Sequence, residues 1–250
     1  MSTDPRRVRL EGCEIAVADD QPTFWDKVAR GHWEPGTLAA LAPLLETGVT
    51  FLDLGAWVGP LSLMAAARGA RVVAVEADPA ARAQFERNLA ANPGLAPRIE
   101  LIAAAVAPHA GTVRLGARRK PGDSMSSTLL AGGPASWSAA ALTPAMLARR
   151  LEPARPLVVK IDIEGAEYAL LPHLGPLLGT PDPVILVSFH PAILRESGVR
   201  DVLPLLREAL EPFAGWRAFR IDDEGPREAG TAPEALLREP ERETWLFRRP

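Results

Sequence analysis

Ionisable side chains in this chain stand where apolar runs end, and their types and spacing suggest chemistry. Asp53 closes Thr50-Phe-Leu just before Leu54 and the turn Gly55-Ala-Trp-Val-Gly59, and Glu76 closes Arg71-Val-Val-Ala-Val. Asp162 and Glu164 follow Leu157-Val-Val-Lys-Ile, and His190 ends Pro183-Val-Ile-Leu-Val-Ser-Phe. Buried charges are costly unless paired or used. Asp162 is therefore the leading candidate for a group beside a reacting centre, with Glu164 next. Glu76 lies about 20 residues beyond a glycine turn, and its two acceptor oxygens can take both hydroxyls of a ribose. Asp53, placed ahead of its turn, attracts a cation and repels a doubly charged pyrophosphate. Plainer readings exist beside these. An acid ending a strand is commonly just solvated, and Lys160 could pair with Glu164 or Glu167 as a structural ion pair.

The elements that must position these groups are legible around them. Phe51, Leu52 and Leu54 lack polar alternation, as expected of a parallel strand covered on both faces. Gly55 and Gly59 permit a tight turn and close approach of a ligand to the backbone, and Pro60 suits the first turn of a helix. A dinucleotide fingerprint counted from Gly55 would need glycine at Trp57 and Pro60, so it fails here. The turn suits a nucleoside ligand with positive groups instead. S-adenosylmethionine, with an ammonium and a sulfonium beside its adenosine, has that character. Ala56 in the turn, Ala77 after Glu76, and the small side chains at 103–105, Ala105 included, would let such a ligand lie against the chain. If the extended chain persists to 164, alternation puts Lys160, Asp162 and Glu164 on one side.

With 250 residues the chain can build one large α/β domain. A charge of -3, from 28 Lys+Arg against 31 Asp+Glu, argues against a nucleic-acid partner. Cys13, the single cysteine, excludes an internal disulfide. Neither a signal-like start nor an apolar run approaching ~18 residues is present, so a cytoplasmic protein with no membrane partner is expected. Oligomeric state is left open. Residues 1–35 read as an N-terminal prelude or lid, whose Phe24, Trp25 and Trp33 either pack or cap a cofactor pocket. The main domain is expected over 36–250, with a loop insertion at about 116–156, where Arg118, Arg119 and Lys120 could meet an anionic substrate. Trp216 to Ile221 and Glu243 to Phe247 read as the last two strands, separated by the charged segment 222–241.

Four stretches together, Asp53-Leu-Gly-Ala-Trp-Val-Gly-Pro, Val75-Glu-Ala-Asp-Pro, Gly122-Asp-Ser-Met-Ser-Ser and Lys160-Ile-Asp-Ile-Glu-Gly-Ala-Glu, resemble the FkbM-like branch of class I S-adenosylmethionine-dependent methyltransferases. The resemblance covers roughly residues 33 to 191. It implies a Rossmann-like sandwich, with a seven-stranded, mostly parallel sheet and helices on both faces. It also implies O-methylation of a small molecule, sugar or natural-product intermediate. By that likeness Asp53, Gly55 and Gly59 surround the methionine part of the cofactor, Glu76 holds the ribose, and Ser126 and Ser127 lie near cofactor or acceptor. Many relatives carry an acid before the histidine matching His190, where this chain has Ser188-Phe189. The expected chemistry is in-line displacement at the sulfonium methyl by an acceptor hydroxyl, with positioning contributing ~7–11 kcal/mol. Asp162 or His190 could take the proton. Alternatively, a magnesium ion held by Asp162 and Glu164 could acidify the hydroxyl. An NAD-type oxidoreductase and a non-catalytic nucleoside-binding module are the competing readings.

Overall fold

A computed structural model describes residues 5–133, 135–152, 155–233, 235–236 and 243–250. Residues 1–4 of the expected prelude, Pro134, Pro153 and Ala154 of the expected insertion, and Glu234 with 237–241 of the expected charged connection lie outside the described residues. In chain order the strands are β1 (Arg6–Leu10), β2 (Cys13–Val17), β3 (Thr50–Leu54), β4 (Arg71–Glu76), β5 (Ile99–Ala103), β6 (Ala105–Val106), β7 (Gly111–Ala117), β8 (Ser126–Ser127), β9 (Ser136–Leu142), β10 (Leu157–Ile161), β11 (Val184–Phe189), β12 (Arg217–Asp222), β13 (Gly225–Thr231) and β14 (Glu243–Arg248).

The central sheet runs β13-β12-β14-β11-β10-β3-β4-β5. Its middle is parallel, and β14, β12 and β13 add an antiparallel edge. Alternate side chains feed two cores, as strand periodicity requires. Leu52, Leu54, Val73, Val75, Val159 and Ile161 pack with Leu170, Leu174 and Leu206 on one face. Phe51, Val72, Ala74 and Val158 pack with Leu38, Leu61, Met64 and Phe85 on the other. Among the described residues the expected sandwich is therefore present with eight strands in its main sheet rather than seven. The additional strand, β13, pairs antiparallel with β12 at the sheet edge, and beyond Gly225 it is exposed throughout. It consequently lacks the apolar alternation by which a strand is recognised in sequence.

Within 116–156, β9 pairs with β7 and β6 in a second, four-stranded sheet that includes β8. The Thr143 side chain caps the helix Pro144–Ala148 by accepting from Met146 N. At the N-terminus, the β1-β2 hairpin is tied to the main body by Asn92 and Asn88. Asn92 Oδ1 accepts from Ala16 N at 3.0 Å and Asn88 Oδ1 from Ala18 N at 2.9 Å. Among the described residues no helix is long and apolar enough to cross a membrane.

Candidate active site

Carboxyl ends of the parallel strands in an open α/β sheet form a natural crevice, and the ionisable groups gather there. Lys160 on β10 stands opposite Asp53 on β3 in register. Asp53 is 1% exposed, and its Oδ2 accepts from Ser62 Oγ at 2.7 Å. Burial pushes the Asp53 carboxyl up, while Lys160 and Ser62 pull it down. Lys160 Nζ lies 2.9 Å from Asp162 Oδ2, so its partner is Asp162 rather than Glu164 or Glu167. Burial works to lower the lysine, but Asp162 and Asp53 outweigh it and hold the ammonium well above the usual range. The cation that Asp53 was expected to attract is thus supplied first by the protein. Its second oxygen, Oδ1, has no hydrogen-bond partner among the described residues and belongs to a carboxylate that lines the larger cavity.

The turn after β3 is fixed from outside itself. Gly55 has φ 82, and a Cβ there would sit 2.0 Å from the Asp162 backbone oxygen, so glycine lets β3 and β10 close at this end. Gly59 has φ 84, and a Cβ there would fall 2.2 Å from the Phe85 ring. Its smallness thus serves helix packing, and it does not line either cavity at this site. Trp57, also left-handed at φ 50, donates its backbone N–H to Glu76 Oε2 at 2.7 Å and its indole N–H to Gly122 O at 3.1 Å. Glu76 Oε1 accepts from Asp78 N at 2.7 Å. Burial outweighs these two bonds and pushes the Glu76 carboxyl up to about 7.

Asp78 caps the helix that follows, its Oδ1 accepting from Ala80 N and Ala81 N. Oδ2 accepts in addition from Gly122 N at 2.6 Å and Ser126 Oγ at 2.9 Å, fastening the distant 122–126 segment over the strand ends. Ser127 Oγ accepts from Leu129 N. Asp123 and Ser124, in the Gly122-Asp-Ser-Met-Ser-Ser stretch, line the site.

Two cavities meet here. One, about 70 Å³, is a narrow slot between Glu76, Ala77, Ala105, Val106, Leu115 and Ser126. Ala104 also lines it, whereas Ala103 is exposed and stands apart. The other, about 500 Å³, opens over Asp53, Ala56 and Lys160 beneath Phe24 and Trp33. Gly55, Trp57, Asp123, Ser124, Asp162 and Glu164 border both. The aromatic prelude therefore divides its work. Trp25 is a core residue, while Phe24 packs edge-on to Trp57 at 4.5 Å and to Trp33 at 5.2 Å, forming the cleft wall. Of the basic run, Arg119 lines the cleft, and Arg118 is paired with Glu196.

At the junction β10 ends at Ile161, and Glu164 has φ 52, so the extended alternation expected through 164 does not persist. The turn itself brings Glu164 round, placing its Oε2 3.7 Å from His190 Nε2, which lies 3.5 Å from Asp162 Oδ1. Glu167 is fully buried. Its Oε2 accepts from Gly165 N at 2.8 Å, and its Oε1 accepts from His190 N at 2.7 Å and lies 3.3 Å from His190 Nδ1. Burial alone would lower the imidazole pKa, but Glu167, Asp162 and Glu164 together raise it to about 9.

Residues 53–210 match the methyltransferase FkbM domain. The chain belongs to the FkbM methyltransferase family. This FkbM chain accordingly has the class I, S-adenosylmethionine-dependent methyltransferase fold, with its carboxylates on the crevice side of the sheet. Comparison with curated proteins finds no match. Among solved structures, the chain is similar to a SAM-dependent methyltransferase from Agrobacterium tumefaciens, at 16% identity and a TM-score of 0.46 over 100% of this chain and 71% of that one. A precorrin-6y C5,15-methyltransferase from Geobacter metallireducens shows 12% identity and a TM-score of 0.44 over 86% and 87% of the two chains. A tRNA (uracil-54, C5)-methyltransferase from Pyrococcus abyssi, in complex with S-adenosyl-L-homocysteine, shows 11% identity and a TM-score of 0.43 over 99% of this chain and 44% of that one.

Proposed function

We propose that this FkbM chain transfers a methyl group from S-adenosylmethionine to a hydroxyl of a small acceptor, a sugar or natural-product intermediate among the candidates. The observation that carries this reading is the meeting of a narrow slot, ending at the Glu76 carboxylate, with a roomier cleft at Asp162 and Glu164. In this reading adenosine fills the slot, with its ring against Ala105 and Val106 and its ribose hydroxyls donating to Glu76. Ala77 and Ser126 border the same space, and Ser127 supports the segment. The methionine ammonium reaches Asp53 across the Gly55-Ala56 turn, and the sulfonium methyl faces the cleft, where the acceptor lies.

Methyl transfer forms an oxygen–carbon bond as the carbon–sulfur bond breaks, and the hydroxyl proton must leave. Asp162 is the acceptor we assign for that proton. Raised to about 9, the metal-free His190 holds its own proton at neutral pH and is not a base there. Alignment of oxygen, methyl and sulfur supplies the larger share of the rate. The acidic overall charge and the modest cleft support a small acceptor rather than a nucleic acid, and no NAD fingerprint accompanies the turn. The test is transfer of labelled methyl from S-adenosylmethionine to a panel of hydroxylated small molecules, with matched amines and thiols. Methylated alcohols are expected; product only from amines or thiols would refute the assignment.

A further inference from the structure

His190 Nε2 belongs to a side chain that is 5% exposed, and among the described residues this atom has no hydrogen-bond partner. It points at two carboxylate oxygens without bonding either. N–H···O hydrogen bonds run about 2.7–3.2 Å, whereas Asp162 Oδ1 is 3.5 Å away and Glu164 Oε2 is 3.7 Å away. Donors held about 2.1 Å from one small divalent ion stand roughly 3.0 Å apart at octahedral and 3.4 Å apart at tetrahedral angles. The two spacings from the histidine are slightly wider than that, and one donor atom from each of the three residues lies within 4.8 Å of the other two. Modest side-chain closure around an ion would complete such a site.

The surroundings orient each donor. Glu167 Oε1, 3.3 Å from Nδ1, can only accept, so a neutral imidazole keeps its proton there and turns its Nε2 lone pair toward Asp162 and Glu164. A carboxylate behind a histidine is the usual support of a metal-ligating imidazole. Lys160 Nζ occupies Asp162 Oδ2, leaving Oδ1 on the histidine side. Glu164 is brought in by a left-handed backbone, φ 52, of the kind that clusters at ligand clamps. Glu167 also secures this turn through Gly165 N.

We propose that Asp162 Oδ1, Glu164 Oε2 and His190 Nε2 form a three-ligand site for a divalent first-row transition-metal ion, with Glu167 positioning the histidine. As a catalytic device the site rests on the methyl-transfer reading; as a binding site it does not. Two carboxylates with one imidazole suit Mn²⁺, Fe²⁺, Co²⁺ or Zn²⁺ better than Mg²⁺, which prefers oxygen ligands and its own water. The donor set thus departs from the magnesium site on Asp162 and Glu164 alone. Such an ion, facing the cavity junction, would act as a Lewis acid that lowers the pKa of an acceptor hydroxyl, and with the ion bound Asp162 would act through it as a ligand instead of taking the proton directly.

The test titrates the chelator-treated full chain with MnCl₂, followed by loss of the free-ion paramagnetic resonance signal, and with CoCl₂, followed by visible absorption. Saturable binding of one ion per chain is expected, with a tenfold excess of MgCl₂ failing to displace it. His190→Gln should weaken binding at least tenfold and shift the cobalt bands. Glu164→Gln, on the turn, should weaken it to a similar degree, and Glu167→Gln by about 10–100-fold with the cobalt bands altered. Wild-type protein that binds neither ion at millimolar concentration overturns the proposal, as does binding unchanged in folded His190→Gln and Glu164→Gln variants. S-adenosylhomocysteine calorimetry on the same samples separates the two claims. Cofactor binding without metal binding overturns only the metal site, and metal binding without cofactor binding overturns only the methyl-transfer reading.

Discussion

Lowering the pH from 7.5 to 5.5 should weaken S-adenosylhomocysteine binding about 25-fold, because the ribose hydroxyls require Glu76 as a carboxylate. Burial pushes Glu76 up to about 7 in the ligand-free protein. The ionised fraction then falls from about three quarters at pH 7.5 to about 3% at pH 5.5, a ratio of about 25 or nearly 2 kcal/mol. The sign follows from the raised carboxyl: the binding form is present above about 7 and is lost as the pH falls through it. Calorimetric titrations in buffers of different ionisation enthalpy read both quantities, the affinity and the proton released on binding. Nearly one proton per ligand is expected at the lower pH. Glu76→Gln, which can still accept but cannot ionise, should bind weakly and without this dependence. An affinity that changes less than about threefold across the range, or a Gln variant that keeps the full dependence, would refute the ribose assignment.

Asp53→Asn should weaken S-adenosylhomocysteine binding by about 10–100-fold, the worth of one charge-assisted hydrogen bond; unchanged affinity in a folded variant removes Asp53 from the methionine site. Asp162→Asn should lower turnover by about 100-fold or more while cofactor affinity stays within about tenfold. Near-normal methyl transfer by that variant, measured under saturating cofactor, would dismiss Asp162 as proton acceptor. Gly59→Ala should cost about 3 kcal/mol in urea unfolding, from a positive φ and from a Cβ driven into the Phe85 ring, and a loss below about 1 kcal/mol would contradict the packing described.

Much of the architecture could be read from local pattern because buried parallel strands are unbroken apolar runs. β3, β4, β10 and β11 announce themselves in this way, and their terminal acids mark the crevice. β13 is silent for the opposite reason. It is an edge strand with mostly exposed polar and small residues, paired along one side, and it needs no apolar alternation. β9, half-buried in a small second sheet, carries a similarly weak pattern.

The site divides along the same line. Asp53, Glu76, Asp162 and His190 each stand at a strand end and were readable there. The parts of Trp57, Asp78 and Glu167 depend on partners far along the chain. Asp78 meets Gly122 and Ser126, and Glu167 meets His190, only after folding. One signal was available for Glu167: an acid at the start of a helix beside a Gly165 turn, in a motif already rich in ionisable groups. Gly59 shows the converse case, where a glycine that looks like a ligand contact is required by an aromatic ring behind it.

The most direct test of the central claim is a crystal structure of the protein with S-adenosylhomocysteine. Both ribose hydroxyls are expected at about 2.6–3.0 Å from the Glu76 carboxylate, the adenine against Ala105 and Val106, the ammonium at Asp53, and the sulfur turned toward Asp162. Adenosine bound elsewhere, or the same pocket filled with Glu76 and Asp162 turned away from the ligand, would contradict it.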